Sequence, residues 1–471
     1  MQQRIMRRTS FGGSTSSSRR SSVSSRDIQA ILMASSKQHI PNTVIFCMMI
    51  ALPLFSFFYL LLIHQHRGNF VAALSAIFKP SSFRNEIEPF LCNVVAWKFT
   101  TVFLSLQLIF HSTLPHDTVY LLSLSGDTKK LVNGFSSFLL ICLLYVMGGG
   151  LGLYRNDLLF IYFPSIITCF AVVCLTAYGI MLINYRLRDT YSVSTVFEFY
   201  FGVELHPTVL DIDIKHFIRS RITFVIWPLF IISSLYYQRN TYGKLTRSLI
   251  GSSFVQIIYI VKYHWTEYLA LNSLDYKHSN CGFYKLWSNM VTKVLFPILY
   301  CSSITIIAYT QKSISLLTSL LLTVIAIFFI YMTTVIDKQK YDFRKSKGKI
   351  KINGLDPYFI TAKYKNDQGD TSANLLLGVF YYELFPQCSP RSGYWSKSRH
   401  LNYACEAATF FIFSAFQGSF APIACHIPAL FITGFLLTRF WMDESRCLVT
   451  YGQSWIQYCN KVPFRILPGI Y

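Results

Sequence analysis

Long apolar segments constrain this chain more than any other feature of its sequence. Of its 471 residues, 52% are hydrophobic and only 14% are charged. A run of roughly 17–25 apolar residues can cross a lipid bilayer as a helix. We therefore predict an all-α polytopic membrane protein with about ten transmembrane helices. The predicted spans lie at 44–64, 92–113, 134–154, 157–184, 222–237, 246–262, 291–310, 313–336, 406–421 and 424–440.

The formal net charge is +21, and the basic residues are concentrated in particular loops. The loops near 113–133, 185–221 and 337–403 are basic, as is the N-terminal tail. Cytosolic loops of membrane proteins carry an excess of Lys and Arg. With ten spans, these loops and both termini lie on one side of the membrane, which we predict to be the cytosol. The charge then reflects membrane topology, and we expect no nucleic-acid partner.

Residues 1–43 are rich in Ser and Arg, and we predict a disordered cytosolic tail there. We expect no cleavable signal peptide, because the first apolar run is long enough to act as an anchor. Twelve Cys residues are scattered without paired spacing, so we expect no metal site. Residues 44–471 are predicted to form one transmembrane domain, with N-terminal spans in 44–262 and the pocket-forming half in 263–471.

Charged residues cluster at the edges of the last two apolar segments. Arg399, His400, Arg439 and Asp443 all lie at or just outside these segments. Charge this close to hydrocarbon is unfavourable and is usually retained for function. We therefore predict a cytosol-facing pocket, formed by the C-terminal half, that holds a charged ligand.

Two further cations follow the eighth predicted span. Lys340 and Arg344 are four residues apart and share a face if the helix continues past the span. Arg binds phosphate through a two-pronged guanidinium, and Lys acts as a point charge. On spacing alone, anchoring at the membrane surface explains this pair better than phosphate binding does.

A polar segment, residues 265–283, lies between two predicted spans and reads WTEYLALNSLDYKHSNCGF. Irregular polar backbone at membrane depth is tolerated only against protein or a water-filled cavity. We therefore expect this segment to line a cavity. Its ionisable residues Glu267, Asp275 and His278 are candidates for proton transfer.

Several blocks of the sequence resemble, in the same order, those of the membrane sterol reductases. This family includes 7-dehydrocholesterol reductase, Δ14-sterol reductase and the sterol-reductase half of the lamin B receptor. The resemblance covers residues 90–471 and is closest to 7-dehydrocholesterol reductase. The blocks read FGVELHP with DIDIKHFIRSR, then WTEYLALNSLD, DKQKYDFR, GYWSKSRHLNY and, near the C-terminus, VPFRILPGIY.

The resemblance implies NADPH-dependent reduction of a sterol ring double bond, with the 7,8 double bond of a Δ5,7-sterol as the expected target. Protonation of a ring carbon needs a buried acid, for which Glu267, Asp275, His278 and Tyr403 are the candidates, with Tyr263 and Tyr300 as further tyrosines. The residues that the resemblance assigns to NADPH are Lys340, Arg344, Trp395, Arg399, His400, Asn402, Tyr403, Arg439, Asp443 and Tyr451.

The chain also departs from the family pattern. Residues 378–391 look like an insertion, and the other departures are substitutions at single motif positions. Ser279 stands where the family has an acid, Glu406 where it has Asp, Met442 where it has Arg, His206 where it has Asn, and Thr208 where it has Arg.

Three other functions remain open on the sequence alone. The first is Δ14-sterol reduction, and the second is a non-catalytic sterol-binding scaffold of the nuclear envelope. The third is a membrane methyltransferase, because RHLNY followed by Asp443–Glu444 also resembles the isoprenylcysteine carboxyl methyltransferases. The expected location is the endoplasmic reticulum membrane, with the nuclear envelope as the alternative. The expected partners are a sterol, membrane lipid and other enzymes of sterol biosynthesis.

Overall fold

The computed structural model describes residues 41–121, 128–188, 195–202, 204–209, 212–273, 276–277, 280–286, 295–365, 371–377, 390–418 and 422–470. Ten long helices dominate these ranges, and each overlaps one predicted span. They are α1 (Asn42–His64), α2 (Val94–Thr113), α3 (Gly134–Gly150), α4 (Phe163–Arg188), α5 (Phe224–Tyr242), α6 (Arg247–Trp265), α7 (Leu295–Ala308), α8 (Leu316–Lys345), α9 (Leu401–Ala415) and α10 (Ile427–Tyr451).

Shorter elements connect the long helices. The short helices are Phe70–Phe78, Pro80–Ile87, Leu158–Ile161, Thr195–Phe201, Ile214–Phe217, Glu267–Leu271, Phe283–Leu286 and Gln453–Lys461. A π-helical segment, Ile218–Thr223, leads into α5, and 3-10 turns occur at Glu88–Phe90, Pro390–Ser396 and Ile423–Cys425. Three antiparallel hairpins pair β1 (Asp117–Leu121) with β2 (Thr128–Val132), β3 (Thr208–Val209) with β4 (Ile212–Asp213), and β5 (Phe359–Lys365) with β6 (Thr371–Leu377).

The predicted helical membrane fold is confirmed. Within the described ranges, five helical segments are long and apolar enough to cross a membrane, and they match predicted spans one, two, four, five and eight. They are Asn42–His64, Arg84–Thr113, Phe163–Ile180, Ile214–Tyr242 and Leu316–Lys345. α3 and the Leu299–Ala308 part of α7 are apolar but shorter. Of the predicted tail, residues 1–40 lie outside the described residues.

α5 lies at the centre of the bundle. Of its membrane-spanning window, 83% of the residues are buried, against 28% for α1 and α8. Trp227 of α5 is fully buried, and its indole Nε1 donates to the Gln256 side chain of α6 at 3.0 Å. Gln238, at the other end of α5, donates to the Ile307 carbonyl of α7 at 3.2 Å. Interhelical hydrogen bonds of this kind supplement van der Waals packing in membrane bundles.

α8 is longer than predicted. The apolar run predicts an eighth span that ends at residue 336 and a soluble loop after it, whereas the helix continues without a break to Lys345. The added residues, DKQKYDFRK, contain no Gly or Pro, and Lys, Gln and Arg are good helix formers. The chain leaves the helix at Lys347 and Gly348, which both have positive φ. Lys340 and Arg344 therefore share a helical face, as predicted.

The membrane topology gives a first testable prediction. The described parts of 337–403 and 441–471 contact each other, because Ser398 donates to the Arg465 carbonyl oxygen at 2.9 Å. Both segments must then lie on one side of the membrane, which the basic loops predict to be the cytosol. Single cysteines introduced at the exposed Lys397 and Lys338 should react with an impermeant maleimide in right-side-out microsomes. Labelling only after the membrane is opened would contradict the predicted orientation.

Candidate active site

The last turns of α8, the middle of α10 and the segment that leads into α9 bring most of the predicted cofactor residues together. α8 contributes Lys340 and Arg344 from its last turns, and α10 contributes Arg439 and Asp443. Residues 395–403 join them from the segment that leads into α9. Lys340 lies within electrostatic range of both Arg344 and Asp443, so the end of α8 faces the Asp443 turn of α10. We call Lys340, Arg344 and Arg439 the cation group.

Lys340 and Trp395 are in direct contact. The ammonium lies 4.2 Å from the centre of the Trp395 ring, within the range of a cation–π interaction. The ring is fixed in turn, because its Nε1 donates to the Ile336 carbonyl at 3.0 Å. Nearby Gly393 has a φ of 61°, and a Cβ there would collide with the Gln339 side chain. Glycine therefore allows this segment to approach α8 closely.

Arg399 is held mainly by the C-terminal tail. Its guanidinium pairs with Glu444 of α10 and donates to the Pro463 carbonyl oxygen at 3.2 Å and to the Cys459 sulfur at 3.0 Å. Its backbone N–H donates to the Phe464 carbonyl at 3.1 Å. These contacts fix the tail against the start of α9. They favour a structural role for Arg399 in holding the tail, in addition to the contact with the cofactor that the resemblance implies.

His400 is a neutral polar group at the edge of the cation group. Burial lowers the pKa of His400 to about 4, so the imidazole carries no charge at neutral pH. Its ring stacks on Tyr403, with 4.9 Å between the centroids, and its Nε2 lies 3.9 Å from the Asp443 carboxylate. Two of the predicted cofactor-binding residues, Tyr403 and Asp443, therefore lie beside His400. The His400 ring is oriented to form hydrogen bonds.

The remaining predicted cofactor residues differ in their surroundings. Arg439 is buried on α10, with its guanidinium 5.3 Å from the Phe435 ring. Arg344 is half-buried one turn after Lys340. Tyr451, at the end of α10, packs instead against a separate apolar cluster next to β5 that includes Ala362. Tyr451 is thus displaced from the cation group along α10.

Buried polar atoms without partners indicate where a ligand fits. Within the described part of the chain, Asn402 Oδ1 and His400 Nε2 have no hydrogen-bond partner. An unpaired buried polar atom is unfavourable unless something binds it. Together with the cation group, these atoms fit a dinucleotide, because phosphates suit the cations and an amide or ribose suits the neutral polar atoms. The residues present therefore fit NADPH.

A tyrosine–carboxylate pair lies one helical turn beyond Asn402. The Tyr259 hydroxyl of α6 donates a hydrogen bond to the Glu406 carboxylate of α9. Glu406 follows Asn402 by four residues on the same helix, and Asn402 donates to Asp337 Oδ1 of α8 at 2.9 Å. Lys262, one turn after Tyr259, lies 5.3 Å from the Tyr259 ring. A continuous set of polar side chains therefore connects the cation group with the Tyr259–Glu406 pair.

Aromatic rings surround the Tyr259–Glu406 pair. Trp227 lies 5.7 Å from the Tyr259 ring and Phe410 lies at the same distance on the α9 side. Tyr300, one of the predicted tyrosines, packs between these two rings, with 4.7 Å to each. Tyr259 is itself only 7% exposed. The pair is thus a protic group in a dry aromatic environment, next to a site that fits a dinucleotide.

Sequence reasoning missed this pair for identifiable reasons. Tyr259 lies inside an apolar run, where aromatic residues are expected, and Glu406 was counted only as a departure from a family Asp. The two residues are 147 positions apart, so no local spacing connects them. The available signal was the carboxylate itself, because an acid at the start of a predicted span is a functional candidate by default.

Glu267 lies elsewhere, at the N-terminal end of α3. Its carboxylate accepts hydrogen bonds from the Gly134 backbone N–H at 3.2 Å and from the Ser220 hydroxyl, and it lies 3.1 Å from His216 Nε2. Burial alone would raise the pKa of Glu267. The charge and hydrogen bond of His216 outweigh burial and lower this pKa to about 2. An ionised carboxylate at a helix N-terminus is well stabilised, and it holds no proton to donate. This geometry favours a supporting role.

The other predicted catalytic residues of this segment cannot be placed. Asp275, His278 and the substituted position Ser279 lie outside the described residues, as does most of the proposed insertion at 378–391. Tyr263 stacks on Phe224, with 3.5 Å between the ring centroids. The described candidates for proton donor therefore lie at different places: Tyr300 beside the Tyr259–Glu406 pair, Tyr403 on His400, Tyr263 on Phe224, and Glu267 at the start of α3.

Comparison with known proteins supports the resemblance seen in the sequence. The profile of the ergosterol biosynthesis ERG4/ERG24 family matches residues 33–471. The 7-dehydrocholesterol reductase of Arabidopsis thaliana is 29% identical over 277 residues, which cover 59% of this chain and 60% of that protein. The 7-dehydrocholesterol reductase of Xenopus laevis is 28% identical over 276 residues, covering 58% of this chain and 55% of the relative.

A Δ14 enzyme matches a longer stretch at lower identity. The Delta(14)-sterol reductase TM7SF2 of Mus musculus is 25% identical over 347 residues, covering 72% of this chain and 76% of that protein. The matched region spans less than two thirds of the length of the 7-dehydrocholesterol reductases above. The predicted relationship is nevertheless confirmed, because the family profile covers nearly the whole described structure. The chain belongs to the ERG4/ERG24 family of ergosterol biosynthesis.

Proposed function

We propose that this chain reduces the 7,8 double bond of a Δ5,7-sterol with NADPH, in the endoplasmic reticulum membrane. One observation carries the proposal: Asn402, which bonds to Asp337 on the same helix as Lys340, lies one helical turn before the Glu406 that accepts from Tyr259. Reduction of a carbon–carbon double bond needs a hydride source and a proton source next to each other. The choice of the 7,8 double bond rests on the relatives named 7-dehydrocholesterol reductase.

Two sets of residues in the C-terminal half would hold two different parts of the cofactor. Lys340, Arg344 and Arg439 would bind the phosphates, and three phosphate-binding cations favour NADPH over NADH. Asn402 and Trp395, next to Lys340, would bind the nicotinamide end. Bound there, NADPH supplies the hydride, which no side chain can supply.

The Tyr259–Glu406 pair would provide the proton. The Tyr259 hydroxyl donates its one hydrogen to the Glu406 carboxylate, so in the proposed step this hydrogen bond breaks as the proton passes to the sterol carbon, and the Tyr259 oxygen keeps the negative charge. Aromatic rings pack around the Tyr259 ring and limit the access of water to it. The Lys262 ammonium, 5.3 Å from the Tyr259 ring, favours the negative charge that remains after transfer. The predicted candidate Tyr300 packs against the same Trp227 and Phe410 rings.

The sterol would reach the site from the bilayer. α8 exposes a row of large apolar side chains along its membrane part, among them Leu317, Leu321, Val324 and Phe328. A flat apolar substrate dissolved in lipid meets this surface directly, whereas the cofactor approaches from the water at the helix ends. Membrane lipid and sterol are therefore the partners that the structure supports best.

Sterol profiling tests the proposal. The chain should be expressed in a host that lacks its own Δ7- and Δ14-sterol reductases, and membrane sterols should be identified by mass spectrometry. We expect Δ5,7-sterols to disappear and their 7,8-dihydro products to accumulate, dependent on NADPH in isolated membranes. Loss of Δ8,14-sterols instead would assign the Δ14 reaction. No change in either sterol would overturn the proposal and favour the scaffold alternative.

Cofactor binding gives the next prediction. Arg344→Ala and Arg439→Ala each remove a cation proposed to meet a phosphate. The loss of a charge-assisted hydrogen bond, about 1.5–3 kcal/mol, should raise the apparent NADPH constant about tenfold or more. Sterol binding should change little. The measurement is NADPH-dependent turnover in membranes at saturating sterol.

Lys338→Ala is the matched control. Lys338 lies on the same helix but is exposed and points away from Lys340. Its removal should leave the NADPH constant within about twofold, because exposed single charges contribute little. If both arginine variants resemble Lys338→Ala, the cation group does not bind the cofactor.

A further inference from the structure

Two free thiols that the proposed reduction does not use lie in contact at one end of the bundle. The side chains of Cys92 and Cys169 are hydrogen-bonded to each other. Cys92 is exposed in the irregular segment just before α2, whereas Cys169 is fully buried in the second turn of α4. The fold thus brings together two cysteines that are far apart in the sequence.

Neighbouring hydrogen bonds fix the backbone around the two thiols. The side chain of Asn93, the residue after Cys92, donates to the Ser165 hydroxyl of α4 at 3.4 Å. That hydroxyl donates in turn to the Pro89 carbonyl oxygen at 2.7 Å. Ser165 and Cys169 are one helical turn apart and share a face of α4. The contact between the thiols therefore follows from the packing of the segment before α2 on this face.

Both thiols lie at the membrane face opposite the cation group. α2 ends at Thr113, and the β1–β2 hairpin that follows lines one cavity together with Asp342 and Lys345 from the last turn of α8. The end of α2 is therefore at the face that carries the cation group. α2 has 20 residues and is about 30 Å long, which is the thickness of the hydrocarbon core. Cys92, which precedes its first turn, is then at the other face.

The two membrane faces differ in redox environment. With the cation group on the cytosolic side, as the basic loops predict, Cys92 faces the lumen of the endoplasmic reticulum. The cytosol keeps thiols reduced, whereas the lumen allows disulfides to form and persist. Cys92 and Cys169 are therefore in contact at the face where oxidation is favoured. Cys459, whose sulfur accepts from Arg399 beside the cation group, is at the reducing face.

We propose that Cys92 and Cys169 form a disulfide bond in the endoplasmic reticulum, with a small luminal disulfide of the glutathione type as the oxidant. The bond would join the luminal start of α2 to α4. A sulfur–sulfur bond, about 2.05 Å long, is shorter than a contact between two thiols, so the sulfurs must approach each other. Cys92 can make this movement because it lies outside regular secondary structure, while α4 holds Cys169 in place.

The oxidation proceeds in two exchange steps. Cys92 loses its proton and attacks one sulfur of the oxidant, which forms a mixed disulfide and releases half of the oxidant as a thiolate. Cys169 then loses its proton and attacks the Cys92 sulfur, which forms the new bond and releases the other half. The cysteine pair loses two hydrogens and two sulfur–hydrogen bonds, and one oxidant disulfide becomes two thiols.

Peptide mapping without reductant tests the proposal on the unaltered chain. The full chain should be expressed in the endoplasmic reticulum of a eukaryotic host, with free thiols blocked by N-ethylmaleimide during denaturation. We expect the Cys92 peptide to be joined to the Cys169 peptide, with a mass two hydrogens below their sum, and Cys459 to be alkylated. Recovery of Cys92 mainly as the alkylated thiol, as a glutathione adduct or joined to another cysteine would overturn the proposal.

A variant without Cys169 tests the same bond in the native membrane. In opened microsomes, an impermeant maleimide should label Cys92 of the parent only after a dithiol reductant is added. Cys169→Ala should be labelled at Cys92 without reductant. Cys174→Ala, which removes another buried thiol of α4, is the matched control and should behave like the parent.

Two labelling results would contradict the disulfide. One is labelling of the parent at Cys92 without reductant, and the other is equal protection of Cys92 in the parent and in Cys169→Ala. Neither experiment needs turnover or a bound cofactor. Their outcome is therefore independent of sterol profiling.

Discussion

Replacing Tyr259 by Phe, or Glu406 by Gln, is expected to lower sterol turnover by about 10²–10⁴-fold, the usual contribution of a positioned proton donor. Tyr259→Phe removes the proton itself. Glu406→Gln keeps the size of the side chain but removes the charge that orients the Tyr259 hydroxyl. Binding of NADPH and sterol should be nearly unchanged, because neither group belongs to the cation group. Single-turnover rates in membranes, with binding measured separately, test both variants.

Tyr263→Phe is the matched control for this experiment. Tyr263 lies one turn from Tyr259 on α6 and is also buried, but Tyr259 alone of the two donates to Glu406. Its loss should change turnover by less than about threefold, since it has no role in proton transfer in this proposal. Glu406→Asp keeps the carboxylate and should retain more activity than Glu406→Gln. Wild-type turnover in both Tyr259→Phe and Glu406→Gln would remove the pair from the mechanism.

Replacing Glu267 by Ala is expected to destabilise the protein by roughly 3–5 kcal/mol, the usual effect of removing one partner of a buried ionic network. The change leaves the Gly134 N–H, the Ser220 hydroxyl and His216 without their acceptor. Turnover should fall with stability, and the predicted participation of Glu267 in catalysis would add to that fall. Thermal unfolding of the purified chain in detergent measures the first effect.

Gly134→Ala tests the same contact from the other side. A Cβ at Gly134 would collide with the Glu267 carboxylate, so this variant should also melt at lower temperature. Glu204→Ala removes an exposed acid and should melt within about 1 °C of the parent, because exposed charges contribute little. If Glu267→Ala melts like Glu204→Ala, the carboxylate does not stabilise the start of α3, and a purely catalytic role becomes the better explanation.

The apolar runs predicted the helical architecture. The spacing of the basic residues on α8 predicted the cofactor side of the candidate site. Each apolar run corresponds to a helix because burial in lipid requires every backbone group to bond within its own segment. The spacing of Lys340 and Arg344 predicted their common face correctly, since α8 continues to Lys345. The ends of helices were less predictable. α10 extends to Tyr451 rather than 440, and the helix Phe70–Phe78 was not foreseen.

Contacts between distant helices could not be predicted. The Tyr259–Glu406 pair and the Glu267–Ser220 pair each join residues far apart in the chain, at 147 and 47 positions. The second depends on the π-helical segment, which presents Ser220 and the adjacent Arg221 to two different partners, Glu267 and Asn133. A single added residue in a helical turn leaves no recognisable pattern in one sequence.

The unbroken course of α8 has a mechanical consequence. Its 30 residues form a rod about 45 Å long, whose first two thirds face lipid and whose last turns carry Lys340 and Arg344. A helix longer than the local hydrocarbon thickness adapts by tilting. Tilt of α8 would move Lys340 and Arg344 relative to Arg439 on α10. The sterol content of a bilayer sets its thickness. Both would then change the affinity for the cofactor through the tilt of one helix, α8.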